Sequence, residues 1–124
     1  LFASAISQGN KVVIIPSETF PLPALNMYQI FDTSDLPGGV VNIVSGKHVE
    51  VIPTLSEHMS VEGIWHFGNP VHNQSIDIAS ISNLKQTWIV NRNHIDWLGK
   101  NNSIAKQLLR KSTQIKNIWI PYGE

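Results

Sequence analysis

Five histidines and no cysteine leave imidazoles, carboxylates and hydroxyls as the groups with which this chain could do chemistry. His66 and His72 stand close in sequence, a spacing that can bring two imidazoles together past a strand end. A zinc site needs a compact set of Cys, His or carboxylate ligands, and no convincing third ligand lies nearby. The pair therefore reads as a polar strand end and a helix residue, and no metal is expected. His48, His58 and His94 fall near predicted helix ends or in a linker, and read as caps or surface residues. Glu18 sits in the turn Pro16-Ser17-Glu18 between an apolar run and a helical pattern. A carboxylate at a helix amino end is favoured by the helix dipole whether or not anything binds there. Lys106, Arg110 and Lys111 give the last predicted helix a basic end, which the same dipole favours. The missing cysteines remove disulfides, thiolate metal sites and thiol nucleophiles together.

At 124 residues the chain is long enough for one core that buries roughly two-thirds of the unfolded surface. Lys plus Arg and Asp plus Glu each total 9, and no block of one sign occurs. That balance argues against a nucleic-acid groove or an anionic membrane patch. Without a long apolar run there is no candidate membrane span, and LFASAISQG lacks the basic flank and long apolar centre of a signal peptide. It reads as the second half of an amphipathic helix in a piece of a longer polypeptide. A cysteine-free composition fits a reducing compartment, so the expected location is cytoplasmic.

The elements that would position these groups form an alternating series. Apolar, β-branched runs at 11–16, 40–46, 63–68 and 85–91 predict strands. Their nearly continuous apolar character is that of parallel strands covered on both faces. Helical patterns lie between them at 22–33, 48–58 and 70–81. The order predicts an α/β class, a Rossmann-like parallel sheet with helices on both faces. Asp35-Leu36-Pro37-Gly38-Gly39 has the chemistry of a turn. A last helix is predicted near Ser103–Ser112, with Ser103 as cap and Ile104, Ala105, Leu108 and Leu109 as its apolar stripe. QIKNIWIP at 114–121 reads as a terminal strand, with Pro121 at an edge or end. The expected organisation is a layered core over 1–93, a linker over 94–102, and a helix with an interface strand over 103–124.

Several blocks carry a family resemblance. GNKVVIIPSETFPLPAL at 9–25 resembles the cofactor-domain signature of aldehyde dehydrogenases, Gly-Asn-x-Val-Val-x-Lys-Pro-Ser-Glu running into Thr-Pro-Leu-x-Ala-Leu. DLPGGVVNIVSG at 35–46 is similar to the stretch that follows the first cofactor-domain helix in that superfamily. SNLKQTWIV at 82–90 resembles the Ser-Asn-Leu-Lys strand that normally delivers the catalytic glutamate. The ending STQIKNIWIPYGE looks like the superfamily's carboxyl-terminal arm, which adds a strand to a neighbouring subunit. The short span between the glutamate strand and this arm, with Trp65-His66-Phe67-Gly68, resembles the degenerate second domain of aldehyde dehydrogenase family sixteen.

The resemblance implies an NAD(P) cofactor for a parent protein and a reaction that needs a thiolate, a base, an oxyanion donor and a bound nicotinamide. In this chain the thiolate is absent. The position of the glutamate base is Val90, and the Gly-Gly pair after it is Arg92-Asn93. The Trp-Asn-Phe-Pro block that holds the oxyanion donor falls before Leu1 in the family's order. No catalytic residue is expected in this segment. The Lys that helps hold the adenosine ribose is replaced by Ile15, whereas Glu18 is kept. By the same correspondence Gly68 and Asn69 occupy the pyrophosphate turn, with Pro70 at the first helical position and Asn73 where a later Gly is usual. These make Glu18, Gly68 and Asn69 the vestigial cofactor-binding set, with no cofactor expected for the segment itself.

Trp65 and Trp88 lie in predicted strands and read as core or near-core anchors. Trp97, in the linker, and Ile118, Trp119 and Ile120, in the arm, are the interface candidates. The expected partner is the catalytic domain of the same polypeptide or a second subunit, not nucleic acid or a membrane. The expected function is a non-catalytic, structural and oligomerising domain. One alternative is a cofactor-domain piece of an NAD(P)-dependent aldehyde oxidoreductase whose Cys lies elsewhere, and another is a nucleotide-binding module.

Overall fold

A computed structural model describes residues 1–90, 95 and 103–123. Its order is α1 (Phe2–Ser7), β1 (Val12–Ile14), α2 (Leu22–Asp32), β2 (Val41–Ile43), α3 (His48–Glu57), β3 (Gly63–His66), α4 (Asn73–Ser80), β4 (Gln86–Ile89) and α5 (Ser103–Lys111). All four strands and the intervening helices fall where the apolar periodicity predicts them. The strands are shorter than predicted, because Pro16 has no N–H to extend β1's ladder and the sequence pattern does not register where pairing stops. The expected helix over 70–81 is a 3₁₀ turn at Pro70–His72, then α4, then a second 3₁₀ turn at Ile81–Asn83.

The crossovers through α2 and α4 each return the chain to a parallel neighbour. β1 pairs with β2 in the register Val12↔Val41, Val13↔Asn42, Ile14↔Ile43. β3 pairs with β4 through Gly63↔Gln86, Ile64↔Thr87, Trp65↔Trp88, His66↔Ile89. The parallel sheet thus consists of two hydrogen-bonded pairs, not one continuous ladder, among the described residues. Periodicity specifies strands and their burial but not which strands share a ladder. Between the first pair, the predicted turn closes with Gly39 at φ +81, a conformation that glycine adopts without steric cost. Asn42 Nδ2 donates to Gly39 O at 2.9 Å.

The apolar centre lies between α3 and α4, which pack on each other. Ile52 and Ile76 are buried there, and Ala5 on α1 is the other buried aliphatic residue among those described. Ser56 and Ser80, on the same two helices, are also buried, and neither hydroxyl has a hydrogen-bond partner. Small side chains let two helices approach closely, at the cost of an unsatisfied polar atom. Asn10 joins the ends of the molecule, its Nδ2 donating to Ala5 O at 3.0 Å and Ser112 O at 2.8 Å.

A tighter arrangement holds the second pair. Trp65 and Trp88, opposite each other, meet edge to face with centroids 5.4 Å apart, and Phe67 meets Trp88 at 5.3 Å. Lys85 is buried, and its Nζ donates to His58 O at 2.7 Å. Asn83 Nδ2 donates to Met59 O at 3.0 Å and Val61 O at 3.1 Å. The two side chains clamp the turn that leads into β3. Between them Leu84 is forced to φ 54, ψ 41, a left-handed conformation that costs an L-residue about 1–2 kcal/mol.

The exposed surface is 9626 Å², against roughly 6,600 Å² for a compact monomer of this mass. Folding of the chain therefore buries about half of its unfolded surface, not the two-thirds that its length alone predicts. The surplus is conspicuously apolar after Ser112. Residues 114–123 form no helix or strand, and Ile118, Trp119 and Ile120 are 82%, 92% and 76% exposed. The predicted terminal strand has no ladder here, since a strand exists only with a partner. Trp97 and nearly all of the predicted linker lie outside the described residues. No described helix is long and apolar enough to cross a membrane.

Candidate cofactor site

Parallel pairing brings the loops after β1 and β2 side by side, and a cavity of about 680 Å³ opens between them. Pro16, Ser17 and Glu18 come from the first loop, Ser45 and Lys47 from the second, and His72 closes it from the 3₁₀ turn. The crevice at the carboxyl ends of parallel strands is where open α/β sheets bind ligands, and this volume suits a small molecule.

Glu18 does not cap the helix that follows it in sequence. Its Oε1 accepts from the backbone N–H of His48, the first residue of α3. The carboxylate thus meets the positive end of a helix dipole, but one that starts thirty residues further on. Only the parallel pairing of β1 and β2 makes that neighbour, so local sequence does not show it. His48 is also tied back, its Nε2 lying 2.8 Å from Pro16 O. A carbonyl can only accept, so this nitrogen carries the proton. Lys47 supplies positive charge at the rim and lies 3.9 Å from Glu50. Both side chains are well exposed, so the pair contributes little.

The second half of the predicted set is used differently. Gly68 leaves room for the His66 ring, since a Cβ there would come within 2.8 Å of it. His66 is buried at the end of β3, and its Nε2 donates to Asn69 O at 3.1 Å. Asn69 Oδ1 accepts from Val71 N at 3.1 Å, capping the 3₁₀ turn. The turn is therefore closed by its own side chains, and neither Gly68 nor Asn69 lines the cavity. His72 does, although the sequence marked it only as a helix residue. Its ring meets those of His48 and His66 edge to face, with centroids at 6.5 Å and 6.3 Å. Among the described residues no group of three or more His, Cys, Asp or Glu is arranged to hold a metal.

The groups present fit one half of a dinucleotide better than the other. Glu18 can accept from ribose hydroxyls at the cavity rim, but the half-buried Ile15 adds no donor beside it. At the Gly68-Asn69 turn, where the resemblance puts the phosphates, the His66 imidazole fills the space beside Gly68. Val90 follows β4, its N–H donating to His66 O at 3.0 Å. Its isopropyl group can accept no proton.

Residues 1–91 match the Aldehyde dehydrogenase family. The chain belongs to that family. Malonate-semialdehyde dehydrogenase of Bacillus pumilus is 41% identical over 69 residues, 56% of this chain and 14% of that protein. The NADP/NAD-dependent aldehyde dehydrogenase PuuC of Escherichia coli is 34% identical over 86 residues, 68% of this chain and 17% of that protein. The crystal structure of PnpE from Pseudomonas sp. WBC-3 superposes with a TM-score of 0.67 at 35% identity, over 71% of this chain and 18% of that one. PnpE has also been solved in complex with nicotinamide adenine dinucleotide. The chain spans less than a fifth of the length of each of these proteins.

Proposed function

We propose that this segment is a non-catalytic, structural and associating part of an aldehyde dehydrogenase family protein, of the kind its layout shares with family sixteen. The observation that carries the reading is the arm, whose Ile118, Trp119 and Ile120 stand 76–92% exposed on a chain with a large surplus of surface. Aromatic and branched aliphatic groups so displayed gain most when a partner removes them from water. Val90 in the place of the base, and the lack of any cysteine, support a role without reacting atoms. NAD(P) chemistry belongs, in this reading, to catalytic residues elsewhere in a parent protein, and the partner is its catalytic domain or a second subunit. Removal of residues 113–124 is expected to weaken association while the layered core still folds. An unchanged mass by light scattering, with association intact, contradicts the arm's role.

The cavity favours a second reading, a residual site for an adenosine-containing nucleotide. Glu18 holds the ribose in it, and Ser17, Ser45 and Lys47 form the polar rim. Titration calorimetry with AMP, NAD and NADP is expected to give weak binding that AMP alone reproduces, because the phosphate turn is closed by His66. A flat titration with all three at millimolar concentration removes this reading.

A further inference from the structure

An anion entering the cavity between the loops of β1 and β2 meets two places where a phosphate is ordinarily held, a helix amino end and a glycine turn, and both are filled. The amino end of α3 is taken by Glu18, whose Oε1 accepts from His48 N. The Gly68-Asn69 turn is closed from within, with the His66 ring beside Gly68 and Asn69 Oδ1 on Val71 N. What remains on the wall is an imidazole. His72 lines the cavity, half-buried, and its ring meets those of His48 and His66 edge to face. Those two neighbours are engaged by the backbone, His48 Nε2 on Pro16 O and His66 Nε2 on Asn69 O. Neither ring nitrogen of His72 is hydrogen-bonded to a described residue.

We propose that His72 binds the phosphate of an adenosine monophosphate in this cavity, in place of the Gly68-Asn69 turn. This rests on the reading of the cavity as an adenosine site, and names the group that selects its occupant. A neutral imidazole offers one N–H, and a bond from it to an ionised oxygen is stronger than one to a neutral acceptor. Two rings already flank His72, so it loses little freedom when it binds. Glu18 accepts from ribose hydroxyls but repels a phosphate, and so directs the charged end of the ligand towards His72. Lys47 adds positive charge, but its side chain is 77% exposed and its amine lies 3.9 Å from Glu50, where solvent weakens its pull.

Titration calorimetry of the full chain and of His72→Phe, each with AMP and with adenosine, tests it. The parent is expected to bind AMP roughly tenfold more tightly than adenosine. The variant keeps a ring against His48 and His66 but has no ring nitrogen, and is expected to lose that advantage. A residue that only shapes the cavity would leave the ratio of the two affinities as it is. Circular dichroism checks the fold of the variant. Should it not fold, the imidazole resonances of His72 in the unaltered chain, assigned by backbone connectivity, are expected to shift with AMP and not with adenosine. If the parent binds both ligands alike, if the variant keeps the advantage of AMP, or if those resonances ignore AMP, the inference is wrong while the adenosine site stands. If neither ligand binds the parent at millimolar concentration, the adenosine site falls with it.

Discussion

The two parallel pairs are built from the same unit, a strand, a crossover helix and a strand, yet they are held in opposite ways. β1 and β2 have outward central residues, with Val13 48% exposed, and their loops meet through a carboxylate and an imidazole at the rim of a cavity. β3 and β4 are less exposed, stacked through Trp65, Trp88 and Phe67 and clamped by Asn83 and a buried lysine. Polar groups at a cavity rim leave a surface open for something else to cover. Aromatic stacking and a buried clamp stabilise a pair from within. The contrast places the chain's own stability in the second pair more than in the first.

Substitutions can break this contrast. Trp88→Ala is expected to cost about 3 kcal/mol, since it removes the ring on which both Trp65 and Phe67 rest. Urea unfolding followed by tryptophan fluorescence measures it. A loss below about 1 kcal/mol would put the stability elsewhere. Lys85→Met is expected to cost about 2 kcal/mol, because it removes the part-buried hydrogen bond from Lys85 Nζ to His58 O. On the first pair, Glu18→Ala removes a cap on α3 and is expected to cost only about 1 kcal/mol. Should Glu18→Ala prove as damaging as Trp88→Ala, the two pairs would not differ as described. Ser56→Ala sharpens the view of the helix contact between them. It is expected to be neutral or to stabilise by up to about 1 kcal/mol, since it deletes a buried hydroxyl that has no partner. Thermal melts compare it with the parent chain.

Much of the architecture was legible because it follows from local patterns. Continuous β-branched runs mark strands at Val12–Ile14 and Val41–Ile43, and Pro and Gly between them mark the turn. What stayed hidden depends on contacts distant in sequence. Glu18 was readable as a helix-capping carboxylate, but its helix is α3, reached only through strand pairing. His66 was readable as a polar strand end, but its part in closing the Gly68-Asn69 turn needs the folded ring position. Leu84 gives no local sign of a left-handed conformation, because leucine does not favour it. The conformation is imposed by Asn83 and Lys85. The alternating pattern at 114–121 signals readiness to pair but supplies no partner.

The proposed non-catalytic role is tested most directly by rapid mixing of the purified chain, at high concentration, with an aldehyde and NAD, read by NADH fluorescence. A chain with Val90 in place of the base and no cysteine predicts neither a burst nor a steady rate. A burst of NADH stoichiometric with the protein would contradict it.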